Sequence, residues 1–129
     1  MSKKENKIKG NIGEGLACQF LEKENYQILE RNYTSFRGEI DIIALQNEEI
    51  AFIEVKTRCQ KFCGTPAESI NNIKKKHIYQ VAEHYLYLHG LLESKIRFDV
   101  IEIFLYDSNS YKISHIKNVI LEKPKYWKV

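Results

Sequence analysis

Cysteine is scarce here: Cys18, Cys59 and Cys63 are the only three in 129 residues, an odd number that argues against a disulfide framework and for a reducing, cytoplasmic compartment. Cys59 and Cys63 lack the second pair that a tetrahedral site needs, and His77 and His84 stand in no matching motif, so no zinc is expected. Long apolar runs are missing as well. The charged start Met1-Ser2-Lys3-Lys4-Glu5-Asn6-Lys7 leads into no such run, which argues against a signal peptide, a membrane span and a membrane partner. There is no internal repeat, no low-complexity tract and no glycine-rich phosphate loop. Excess charge of one sign is also absent: the net is +3, too little to announce a nucleic-acid binder by itself. The length suits one domain over 1–129 with a single core, with 1–9 as a frayed lead-in and 122–129 as a tail.

What is present is a pattern of charges. Gly38-Glu39-Ile40-Asp41 and Phe52-Ile53-Glu54-Val55-Lys56 read as two strands of a hairpin closed around Asn47-Glu48. Alternation along a strand sends Ile40, Ile42 and Ala44 to one face and Glu39 and Asp41 to the other. A constant position sum across the ladder sets Asp41 opposite Glu54, and Glu39 opposite Lys56. Two carboxylates facing each other repel, and a divalent cation between them removes the objection. A lysine two residues on can orient or deprotonate water, or steady charge on a phosphate. Glu-x-Lys alone is equally the mark of a solvated edge strand.

Basic residues bracket this acidic stretch. Arg31 and Arg37 precede it, Lys56, Arg58 and Lys61 leave it, and Lys74-Lys75-Lys76 opens the next helix, a distribution that suits a phosphate backbone crossing a metal site. An ordinary solvated lysine face explains the last run about as well.

Gly13, Leu16, Ala17, Phe20 and Leu21 recur at helical spacing, with Glu14 at the edge of the stripe. A first strand follows over Tyr26 to Tyr33, with Arg37-Gly38 turning into the hairpin. Thr65-Pro66-Ala67-Glu68 has capping-box spacing, so a second helix begins there or near Asn71. Its stripe is Ile70, Ile73, His77, Val81, Tyr85 and Leu88, ending at Gly90, with His77 read as a histidine at the core's edge. Arg97 to Phe104, apolar on both faces at Val100-Ile101, reads as a central strand, and Tyr111 to Ile116 as the last. The expected fold is α/β, a mixed central β-sheet flanked by helices.

Together Gly38-Glu39-Ile40-Asp41, Phe52-Ile53-Glu54-Val55-Lys56-Thr57-Arg58 and Arg97-Phe98-Asp99-Val100 resemble the UPF0102 (YraN) family, with Gly13-Glu14, Ala17, Arg31-Asn32-Tyr33, Gly64, Pro66 and Lys74 extending the match. That family is similar to the restriction-endonuclease-like PD-(D/E)xK nucleases and, among them, to archaeal Holliday-junction resolvases. The resemblance implies an active-site set of Glu14, Asp41, Glu54 and Lys56, with Glu14, Asp41 and Glu54 holding Mg²⁺ or Mn²⁺ and the Val55 carbonyl as an extra ligand. Glu39 would pair with Lys56 or support the ligands. Thr34 stands where relatives often carry a basic residue, leaving phosphate contact to Arg31 or Arg37, with Arg58, Lys74 and Lys75 on flanking phosphates. The implied function is a metal-dependent endonuclease on DNA, branched or structured, in recombination or repair, working as a homodimer and with a repair-protein partner. A nucleic-acid-binding or protein-interaction module that retains the fold without cutting is the alternative.

Overall fold

The computed structural model describes residues 3–59, 72–107 and 109–119, with side chains from Ile12 onward except those of Cys59 and of 72–76. Lys61, Cys63, the capping box at 65–68 and the tail at 122–129 lie outside the described residues. The order is α1 (Lys3–Lys23), β1 (Gln27–Ser35), β2 (Gly38–Gln46), β3 (Glu49–Cys59), α2 (Asn72–Leu88), β4 (Lys95–Leu105) and β5 (Tyr111–Ile116). The fold is thus α/β: one mixed five-stranded sheet in the order β1-β2-β3-β4-β5. All neighbours pair antiparallel except β3 and β4, which run parallel because α2 lies between them in the chain.

Local chemistry explains the boundaries. Asn25 and Gly90 take the left-handed conformation just past α1 and α2. Each helix closes with the same wrap, Tyr26 N–H donating to the Leu21 carbonyl at 2.9 Å and Leu91 N–H to that of Leu86 at 2.8 Å. Asn47 and Glu48 both have positive φ, the requirement of a tight two-residue hairpin turn, and Gln46 faces Glu49 as the spacing requires. Helix α1 starts at Lys3, so the lead-in read as frayed continues the helix; its Lys and Glu residues are good helix formers.

The sheet is apolar on both faces. On one, Ile43, Phe52 and Phe98 pack with Val81, Ala82 and Tyr85 of α2; on the other, Ile42, Ala44, Ile53 and Ile101 pack with Ala17 and Leu21 of α1. β4 is buried from Ile96 to Ile103, with Arg97, Asp99 and Glu102 buried among its apolar residues.

Candidate active site

Beyond Ile42 the hairpin comes apart. The β2–β3 pairing keeps its register from Gln46–Glu49 to Ile42–Ile53 and stops there, while β3 stays paired with β4 as far as Cys59–Leu105. The expected facing pairs Asp41/Glu54 and Glu39/Lys56 are therefore not rungs of the ladder. In place of a backbone rung, Asp41 Oδ2 accepts from the Val55 N–H at 2.7 Å, so the carboxylate itself bridges the two strands where they part.

Alternation also breaks at this point. Ile40 packs on the α2 side, whereas Ile42 and Ala44 pack on the α1 side, contrary to the single apolar face read from spacing. The neighbouring strand reverses in step: Tyr33 and Ile40 pair, as do Arg31 and Ile42, and Asn32 between them has a φ of 51°. A non-glycine residue reaches that region at low cost mainly when it is Asn or Asp. The reversal carries Glu39 to the α1 side, where Glu14 waits. Glu14, Glu39 and Asp41 each place a carboxylate oxygen within 4.8 Å of the others. Glu39, read as a supporting residue, thus stands among the ligand-capable groups.

Glycine at position 13 is what brings α1 so close. A β-carbon there would lie 1.8 Å from Thr57 Oγ1, so no larger residue fits unless the Thr57 side chain or the helix gives way. Glu14 follows directly.

Glu54 and Lys56 come from the α2 side of β3. Their side chains pair at 3.0 Å and are 12% and 25% exposed. Burial pushes the Lys56 ammonium below its ordinary pKa; the Asp41 carboxylate pulls it back up and the Arg58 charge lowers it further. A cleft of about 300 Å³ opens beside these groups, lined by Glu39, Asp41, Glu54 and His77 among others. His77 is exposed there, not at the core's edge as its stripe suggested.

The basic residues divide. Arg58 Nε donates to the buried Glu102 carboxylate at 2.6 Å, which commits its side chain within the fold. Arg31 lies on the α1 side, near enough to Cys18 for its charge to oppose the burial that raises that thiol's pKa. Arg37 sits in the β1–β2 turn, its guanidinium 4.8 Å from the centre of the Phe36 ring. The side chains of Lys74 and Lys75 lie outside the described residues.

A second polar group lies on β4. Arg97 Nε donates to both oxygens of Asp99 at 3.0 Å, its Nη1 to Glu49 at 2.7 Å and its Nη2 to the Tyr26 hydroxyl. His115 Nε2 lies 2.8 Å from Asp99 Oδ2, and the Asn118 N–H donates to Oδ1 at 3.0 Å. Burial opposes the Arg97 charge, but Asp99 and Glu49 outweigh it and hold its pKa above the ordinary value. Nothing in the sequence pattern joined these residues, which come from four separate stretches of the chain.

Fold and site together define an α/β protein with an acidic, cation-capable cluster where two inner strands of a mixed sheet part. The chain belongs to the UPF0102 family, described as "Uncharacterised protein family UPF0102", whose profile matches residues 13–103. That span contains Glu14, Glu39, Asp41, Glu54 and Lys56. The chain is similar to a UPF0102 protein of Clostridium perfringens strain 13, 48% identical over 117 residues that cover 90% of this chain and 96% of that one. A UPF0102 protein of Alkaliphilus oremlandii is 45% identical over 115 residues, 88% of this chain and 97% of that one. Among solved structures there is a likeness to Pyrococcus furiosus SfsA in complex with Ca²⁺, with a TM-score of 0.40, 13% identity and coverage of 87% of this chain and 63% of that one. No described helix is long and apolar enough to cross a membrane.

Proposed function

We propose that this protein is a metal-dependent endonuclease that hydrolyses phosphodiester bonds in DNA, with branched or structured DNA as its substrate. The observation that carries the reading is the convergence of Glu14, Glu39 and Asp41 beside the Glu54–Lys56 pair, where β2 and β3 separate. Among the described residues, four carboxylates and one ammonium stand there. Like charges gathered this closely cost stability, and a hard divalent cation offsets the cost. The donor set is all oxygen, which suits Mg²⁺ or Mn²⁺.

Glu14, Glu39 and Asp41 would hold the ion, and Glu54, which pairs with Lys56, would complete the site from β3 together with the Val55 carbonyl. When bound, the ion supplies Lewis-acid polarisation of a phosphoryl oxygen and a more acidic water. The chain's own groups do the rest. The Val55 N–H fixes the plane of the Asp41 carboxylate. Lys56, half-buried and with a lowered pKa, takes a proton from the attacking water or steadies the charge that grows on the phosphate. Arg37 and Arg31 flank the site for backbone contact, and two copies of the chain would cut the two strands of a junction. Such an enzyme would work beside recombination or repair proteins.

The test is cleavage of junctions, flaps and plain duplex by the purified protein with Mg²⁺ or Mn²⁺, wild type against Asp41→Ala. Cleavage by wild type alone supports the assignment. Equal, negligible cleavage by both would sink it.

A further inference from the structure

We propose that Phe36 is a stacking platform for an unpaired base of the strand that crosses the carboxylate site, and so a determinant of selectivity for branched over plain duplex DNA. This rests on the nuclease reading above and deepens it by naming what the site's edge recognises.

Phe36 is 84% exposed, more than any other large apolar side chain among the described residues. Neither the turn nor the core accounts for it. Ser35 pairs with Gly38, so Phe36 and Arg37 alone form the loop, and the Arg37 N–H donates to Ser35 Oγ at 3.1 Å. A two-residue loop favours small or polar residues and asks for no aromatic ring. The ring packs into neither apolar layer, and its described aromatic partner is the Arg37 guanidinium 4.8 Å away. A planar cation over an exposed ring leaves the other ring face open, and the pair offers a base a stacking surface beside a charge for its phosphate.

Position supplies the occupant. Gly38 and Glu39, the next residues, line the cleft that holds Asp41 and Glu54. Three residues of chain span at most about 11 Å, so the ring's backbone lies within about three stacked nucleotides of that of Glu39. On the far side Phe36 and Arg37 wall a groove of about 680 Å³ that also carries Tyr87, itself 68% exposed. Glu83 and Glu93 line the same groove and repel phosphate, so the groove suits a base while the backbone stays on the Arg37 side. In an intact duplex every base face is already stacked. A fork or junction offers a free one.

The experiment is anisotropy binding of wild type, Phe36→Ala and Phe36→Trp to a splayed fork and to a plain duplex, in EDTA and again with Ca²⁺. A 2-aminopurine placed at the branch point reports stacking, and thermal melting reports folding. The expected result is a loss on the order of tenfold in fork affinity for Phe36→Ala, unchanged duplex affinity, retention in Phe36→Trp, and a branch-point fluorescence change that disappears only in Phe36→Ala. Fork binding by Phe36→Ala equal to wild type overturns the proposal and leaves the nuclease reading standing. A change from dimer to monomer in Phe36→Ala with fork affinity intact makes the ring a subunit contact and overturns it too. Failure of wild type to bind either DNA sinks both readings.

Discussion

Two groups of charged residues, one around Asp99 of β4 and one around Asp41 of β2, sit on either side of β3 and are built on opposite plans. Around Asp99, whose side chain is wholly buried, the Arg97 guanidinium, His115 and the Asn118 N–H supply donors to both oxygens, and Arg97 spends its remaining donors on Glu49 and Tyr26. Around Asp41, by contrast, Glu14 and Glu39 bring further negative charge, and Lys56 is the cation paired with Glu54. The first group meets its donors with acceptors and is closed, so attraction within it offsets the desolvation of its charges, and removal of any one partner strands the others. The second, among the described residues, gathers like charges and opens onto a cleft. A fold that needed only stability would build the first kind.

The largest expected effect tests the closed group. Asp99→Ala leaves the Arg97 charge and His115 without their carboxylate and should cost about 3–5 kcal/mol in urea unfolding, whereas Asp41→Asn, which keeps an acceptor for Val55, should cost less than about 1 kcal/mol while ending cleavage. Comparable losses in the two variants would erase the distinction between the groups.

Next is Lys56. If it takes the proton from water, cleavage should rise with pH towards its lowered pKa. Lys56→Arg, which cannot deprotonate, should lose that limb and about 100-fold in rate. A rate–pH profile of the two proteins decides; a wild-type rate that falls over the same range would assign Lys56 a cationic role. The stability sign follows from the same shift. With the folded pKa below the ordinary 10.5, the unfolded chain holds the proton more tightly. Wild type should therefore gain stability relative to Lys56→Arg as pH rises through the window just below 10.5.

Gly13→Ala tests what assembles the open group. The new methyl collides with Thr57, and a shift of α1 to relieve it should cost about 1–3 kcal/mol and lower Mn²⁺ affinity in calorimetry as Glu14 leaves the cluster. Adding Thr57→Ala should restore part of both. Unchanged Mn²⁺ binding in Gly13→Ala would remove Glu14 from the site.

The smallest effect is Glu39→Gln. Relief of repulsion should raise metal-free stability by less than about 1 kcal/mol, and the gain should shrink in high salt. Destabilisation instead would mean that Glu39 is held by attraction, and the picture of a strained cluster would fail.

Much of this was legible beforehand, for local reasons. Asn47-Glu48 tolerates two positive φ values, so the hairpin and its register near the turn followed from spacing alone. The adjacent apolar pair Val100-Ile101 marked β4 as covered on both faces. Glu14 came from family resemblance, because its place at the edge of a helical stripe suited a solvated residue equally well. Alternation set Glu39 on one face with Asp41, and the supporting part came from the family resemblance; neither showed that Glu39 would meet Glu14. The reversal there needs Asn32 of the neighbouring strand, and a pairing of two kinks leaves no period in either segment. Phe36 shows in the sequence only as a breach of a local rule, an aromatic ring in a turn, and His77, read at the core's edge, as another, a polar residue on an apolar stripe.

The chain's order of elements, its apolar faces, its turns and its set of acidic and basic residues were determined by the sequence itself, since each depends on neighbours within a few positions. Which carboxylates meet was decided by the tertiary structure. Glu14 reaches Asp41 only because a missing β-carbon lets α1 lie against Thr57, and Glu39 turns toward both only because two strands reverse together. Contacts between residues 25 positions apart are set by how helix and sheet pack, and packing is a property of the assembled core.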